Sequence, residues 1–172
     1  LVSEAQAKSN VTYLYRTGAP TFNTGNGAYY GTHGMLGGYL TGYFTSEYAG
    51  QEIIVGASQK LSRTVDDCND QMNSLWENSY KAINVANYSI KYTSSDNMSE
   101  TVAQKYIAEA KFFRAYNYFY LVKTFGDVPF YTEPYESATG DLYLSRTDSK
   151  TVYAQIIQDL KDAPAVLPNT AF

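Results

Sequence analysis

"AEAKFFRAYNYFYLVKTFGDVPF", residues 108–130, sets eight aromatic rings in 23 positions and closes on Gly126-Asp127-Val128-Pro129. At 100° per residue, Val102, Tyr106, Phe113, Tyr116 and Tyr120 share one face. Ala108, Phe112, Ala115, Tyr118 and Val122 share the opposite one. A helix that is apolar nearly all round is buried on more than one side. The stretch therefore reads as the central helix of an all-α fold, with Phe112, Phe113 and Phe119 expected in its core. Ala108 and Ala115 lie two turns apart and let a neighbouring helix come close. Gly126 is the expected stop, Asp127 a turn residue, and Pro129 holds the exit extended.

Outward from this helix the punctuation is regular. Ser99 is the expected N-cap, following the short polar break "TSSDNMS". Before the break, Met72, Leu75, Trp76, Ile83, Ala86 and Ile90 recur at three- and four-residue spacing on one stripe. A break that short joins two antiparallel helices. Ser3 and Gln6 form a capping-box pair that opens a first helix, and Gly18 is its expected stop. A fourth helix starts near Asp148 and carries Val152, Ile156, Leu160 and Ala163 on its stripe, flanked by Tyr153 and Ile157. Pro164 ends or kinks it. The spacing predicts helices over 3–17, 70–93, 99–125 and 148–163, with little or no sheet. Ala108-x3-Phe112-x2-Ala115 matches the second half of a tetratricopeptide unit, although the unit's period of about 34 residues does not recur. The expected class is all-α, with tetratricopeptide-like helical-repeat hairpins and long irregular insertions.

Composition narrows the function. A chain of 172 residues suits one domain. A formal charge of −4 argues against nucleic acid, which requires a concentrated basic patch. Tyrosine is abundant, at 18 residues, and rings with a polar tip suit neutral polar ligands such as sugars. Cys68 and His33 are each the single residue of their type, so no intrachain disulfide can form, and their different sequence contexts give no nucleophile–base pair. No recognisable acid–base constellation supports an enzyme, and no cofactor or metal is expected. The "DDCND" run lacks a calcium loop's spacing and its terminal glutamate. It is read as helix capping by Asp66, Asp67, Asn69 and Asp70. "GNGAYYG" has the wrong glycine spacing for a dinucleotide loop.

Residues 18–66 form a Gly/Tyr-rich insertion without clear periodicity, and irregular stretches that long are more often functional than idle. Tyr39, Tyr43, Phe44, Glu47 and Tyr48 place rings and a carboxylate within it, and these are the candidate ligand-binding residues. Asn84 and Asn87 are expected to bond backbone in a helix-to-helix contact. Arg114 is expected to pair with a carboxylate such as Glu109 or to stack on a ring.

Three stretches together resemble the SusD/RagB family of outer-membrane nutrient-binding lipoproteins. They are "WENSYKAINVAN" (76–87), the quoted stretch (108–130) and "SRTDSKTVYAQIIQDLKDAPAVLP" (145–168). The matching positions are Trp76, Tyr80, Ile83, Asn84, Ala86 and Asn87 in the first. Glu109, Ala110, Phe112, Arg114, Ala115, Gly126, Val128 and Pro129 match in the second. Arg146, Val152, Tyr153, Ile156, Asp159, Leu160, Ala163, Leu167 and Pro168 match in the third. Phe125 stands where the family usually has Tyr. The resemblance implies that residues 1–172 are the N-terminal helical-repeat domain of a longer protein. It implies non-catalytic capture of oligo- or polysaccharides and delivery to a SusC-like TonB-dependent transporter. It also implies an outer-membrane lipoprotein, surface-exposed or periplasm-facing, held by an N-terminal lipid anchor absent from this chain. Cys68 is not placed to be that anchor. The competing reading is a helical-repeat adaptor that binds a protein partner and no sugar.

Overall fold

Ser3 and Gln6 close the expected capping box. The Ser3 backbone N–H donates to Gln6 Oε1 at 3.0 Å, and the Gln6 N–H donates to Ser3 Oγ at 3.3 Å. They open α1 (Glu4–Thr17), the first element of a computed structural model that describes residues 3–17, 38–43, 62, 64, 66, 69–136, 143–163 and 166–167. A 3-10 turn (Gly38–Thr41) follows, then α2 (Asn69–Tyr92) and α3 (Glu100–Phe125). The two-residue strands β1 (Val128–Pro129) and β2 (Arg146–Thr147) pair antiparallel, Val128 opposite Thr147 and Pro129 opposite Arg146. The last helix is α4 (Ser149–Asp162). Each helix boundary lies within one residue of the sequence expectation, and the fold is the expected all-α, tetratricopeptide-like one. The chain divides into two units, residues 1–18 with 79–172 and residues 19–78. Gly18, Asp67 and Pro164, expected as helix stops or caps, lie outside the described residues, as does the Asp70 side chain.

Punctuation explains the helix ends. Ser99 Oγ accepts from the Val102 N–H, satisfying a donor that has no partner within α3. Gly126 ends the helix at φ +71°, in the left-handed region that only glycine enters cheaply, and its N–H bonds the Val122 carbonyl. Asp127 then fixes two neighbours. Its Oδ1 accepts from the first N–H of α4, at Ser149, and its carbonyl accepts from Arg146.

α3 is the central helix, with α4 packed along it and α1 against it. Ala7, Val11 and Leu14 form the buried face of α1, and Tyr15 meets Phe113 edge-on at 4.7 Å. Phe113 and Tyr118 are buried as expected, but Phe112 and Phe119 are 41% and 38% exposed. The physical reason is that α3 has neighbours over most, but not all, of its circumference. The remaining stripe carries Phe112, Tyr116, Phe119 and Tyr120, and the rings on it pack on each other. Lys123 sits over two of them, 5.6 Å from the Phe119 centroid and 4.8 Å from that of Tyr120. Phe112→Ala is therefore expected to cost only about 1 kcal/mol, the worth of its ring contacts. A chemical-denaturation curve checks this, since a loss of about 3–5 kcal/mol belongs to a core ring.

A second expectation fails in α4. Leu160 is 43% exposed and Tyr153 and Ile157 are exposed as well, whereas Val152, Ile156, Asp159 and Ala163 are buried. The inward stripe takes a carboxylate at Asp159 in place of the neighbouring leucine. Its partner on α3 explains why.

Candidate functional site

Arg114 supplies that partner. Its Nε and Nη2 donate to the two carboxylate oxygens of Asp159, each at 2.7 Å, and both side chains are almost wholly buried. The expected partner, Glu109, is displaced for a geometric reason. It precedes Arg114 by five residues, which turns it well off the arginine's face. Nη1 of Arg114 donates to Asn87 Oδ1 at 2.9 Å and to the Thr132 carbonyl at 3.3 Å. Gln155 adds a further donor to Asp159, at 2.9 Å. One guanidinium thus joins α2, α3, α4 and the segment after β1. The fork geometry of arginine makes this bidentate pair strong, and burial makes it costly to break.

The segment it touches, residues 129–136, has no ladder partner beyond the two pairs of β1. Side chains satisfy its backbone instead. The Tyr80 hydroxyl donates to the Pro129 carbonyl at 2.7 Å. Asn87 Nδ2 donates to the carbonyls of Tyr131 and Glu133, and Asn84 Oδ1 accepts from the Tyr135 N–H at 2.6 Å. Tyr80, Asn84 and Asn87 follow a four- and three-residue spacing, so they form one stripe along α2. From α3, the Tyr118 hydroxyl donates to the Tyr131 carbonyl at 2.7 Å and accepts from its N–H at 3.0 Å. Burial pushes the Tyr118 and Tyr80 phenols far above the ordinary tyrosine range, and that of Tyr131 up to about 12. The hydroxyls therefore remain donors at any physiological pH. Asn84 and Asn87 bond backbone as expected, but that of the extended segment, not of another helix. The matched signature positions of the first two stretches are thus largely fold chemistry.

The predicted ligand residues belong to the other unit. There the 3-10 turn is tied by Thr41, whose Oγ1 donates to the Gly38 carbonyl at 2.7 Å and accepts from the Tyr43 N–H at 3.2 Å. Gly42 stands between them at φ +74°, a backbone conformation that strains any residue with a Cβ. The result is a short turn that delivers Tyr43 to solvent, 90% exposed. Tyr39 lies within the turn, and its side chain is outside the described residues. Phe44, Glu47 and Tyr48 are outside them entirely. An exposed phenol on a fixed backbone offers a flat apolar face and a polar tip, which suits stacking against a sugar ring. Among the described residues no cluster of three His, Cys, Asp or Glu is placed to hold a metal ion. No described helix is long and apolar enough to cross a membrane.

Comparison with known proteins bears on what such a turn serves. A SusD-like family profile described as "starch-binding associating with outer membrane" matches residues 26–172. SusD-like protein P2 of Formosa agariphila is 34% identical over 109 residues, covering 63% of this chain and 22% of that protein. A solved SusD superfamily structure from Parabacteroides distasonis superposes with a TM-score of 0.71 at 29% identity, covering 96% of this chain and 34% of that one. A laminarin-binding SusD-like protein gives a TM-score of 0.71 at 23% identity, covering 98% and 35%. The chain spans about a fifth of the length of the curated relatives it matches.

Proposed function

The chain belongs to the SusD-like family of starch-binding, outer-membrane-associating proteins, and on that premise we propose that it is the helical-repeat region of a non-catalytic glycan-capture protein. The family match over residues 26–172 carries this reading. The ligand class is an oligo- or polysaccharide, and the site of action is the outer membrane. A SusD-like relative of the same fold that binds laminarin supports the ligand class. Capture rests on the Gly/Tyr-rich insertion, where Tyr39, Tyr43, Phe44 and Tyr48 offer ring faces and Glu47 a hydrogen-bond acceptor. A small set of rings and polar groups of this kind fixes a sugar's orientation without performing chemistry on it.

The captured glycan passes to a SusC-like TonB-dependent transporter. A stable lid over such a transporter needs an extended interface of roughly 2,000 Å² or more. The exposed ring stripe of α3 favours contact with a protein partner in its own right, and so keeps the adaptor reading in play. Affinity electrophoresis through gels containing different polysaccharides separates the two. Retardation by at least one glycan supports capture. Mobility unchanged in every gel, together with stable co-purification of a protein partner, supports the adaptor instead. Tyr43→Ala is expected to abolish measurable retardation while leaving the melting temperature unchanged, because the ring touches little of the protein.

A further inference from the structure

α4 carries more apolar surface than it buries. Val152, Ile156 and Ala163, with Asp159 among them, face α3 and are buried. Lys111 pairs with Asp162 at 2.6 Å and Arg114 with Asp159 at 2.7 Å, so α4 runs antiparallel to α3. Tyr153, Ile157 and Leu160 recur at four- and three-residue spacing and form a second stripe, about 100° round the helix from the first. All three are exposed, Ile157 to 51%. Lys150, Gln158 and Lys161 keep to the remaining arc. A lone exposed leucine is ordinary. An aligned tyrosine, isoleucine and leucine make the kind of seam by which one helix packs on another. In a stack of antiparallel helices, the end helix stays soluble through a polar outer face. α4 lacks one on this flank, so the stack does not end there.

We propose that the Tyr153–Ile157–Leu160 flank seats a further amphipathic helix, supplied by polypeptide beyond residue 172 of the same molecule. The inference rests on the helical-repeat part of the proposed function and is independent of the ligand captured. This chain covers 34% and 35% of two SusD-like structures on which it superposes, so a protein of their length has ample polypeptide for a further helix. The area of the seam separates this occupant from a second copy. Three side chains fall well short of the roughly 800 Å² per partner of a standard interface. A tethered helix needs far less, because its effective concentration is already about millimolar. The Ala163 carbonyl accepts from the N–H groups of Val166 and Leu167 and closes the end of α4 from which the connection leaves. An occupant antiparallel to α4 needs only a short connection and presents apolar residues at three- and four-residue spacing.

Thiol labelling tests this in the gene product that carries residues 1–172, alongside the 172-residue chain. Ile157→Cys and Lys161→Cys are each placed in a Cys68→Ser background and their reaction with a maleimide is timed. Ile157→Cys is expected to react at least roughly tenfold more slowly in the gene product than in the 172-residue chain, as for a site reached through local opening. Lys161→Cys, on the polar arc, reacts at the same rate in both. Ile157→Glu/Leu160→Glu gives an independent readout, because a carboxylate buried without a partner is costly. It lowers the melting temperature of the gene product by several degrees and shifts that of the 172-residue chain little. Equal Ile157→Cys rates in the two proteins overturn the proposal, as does a gene product that ends at residue 172. Protection that appears only as the protein dimerises, or only when another protein is added, assigns the flank to that partner and overturns it too. Absence of glycan binding with Ile157→Cys still protected would remove glycan capture and leave this inference standing.

Discussion

Asp159→Ala is expected to destabilise the protein by about 3–5 kcal/mol, because it strands the buried Arg114 guanidinium without its counter-ion. In a domain of this size that corresponds to a fall in melting temperature of roughly 10 °C. The loss is not the net worth of the ion pair. Two charges removed from water recover their desolvation cost only through close, fully bonded geometry. An Arg114→Met/Asp159→Leu double variant should therefore recover part of the single variant's loss. Recovery stays incomplete, since Asn87 Oδ1 and the Thr132 carbonyl lose their Arg114 donor. A double-mutant cycle in denaturant measures this coupling. An Asp159→Ala protein that melts with the wild type would mean that α3 and α4 are not held by this pair.

Tyr118→Ala is the second large effect. It removes a fully buried ring, at about 3–5 kcal/mol for a large-to-small core change. It also removes the hydroxyl that bonds both the N–H and the carbonyl of Tyr131. Leaving buried backbone groups unpaired adds about 1–3 kcal/mol. Tyr118→Phe isolates the hydroxyl, and is expected to lose only that second part while exposing residues 129–136 to limited proteolysis. Tyr118→Phe with wild-type stability and protease resistance would mean that the extended segment is secured by other contacts.

These two residues also show how far the sequence could be read. Helix positions were legible because each end carries its own chemistry, such as the Ser3–Gln6 box, the Ser99 cap and Gly126 at positive φ. Which face of α3 stays open was harder to read, because the open stripe is as aromatic as the buried ones. A polar trace existed all the same, since Thr101, Lys105 and Lys123 share the stripe of Phe112 and Phe119 at helical spacing. Periodicity favours Leu160 over Asp159 because it counts apolar residues and cannot see a buried charge whose partner lies on another helix. For the same reason local spacing points Arg114 to the nearby Glu109. Pairing across 45 residues depends on packing, not on local spacing. Of the five predicted ligand residues, the structure describes the side chain of Tyr43 alone, and that ring is presented to solvent.

The central claim is that this chain takes hold of sugar through that insertion, and calorimetric titration with a laminari-oligosaccharide tests it most directly. Wild type and Tyr43→Ala are compared at high protein concentration. The account predicts weak, saturable binding for the wild type, near about 1 mM or roughly −4 kcal/mol, as expected of a site with few contacts. It predicts no measurable heat for the variant at equal thermal stability. Wild-type binding that survives intact in Tyr43→Ala, or the absence of binding in both, would contradict it.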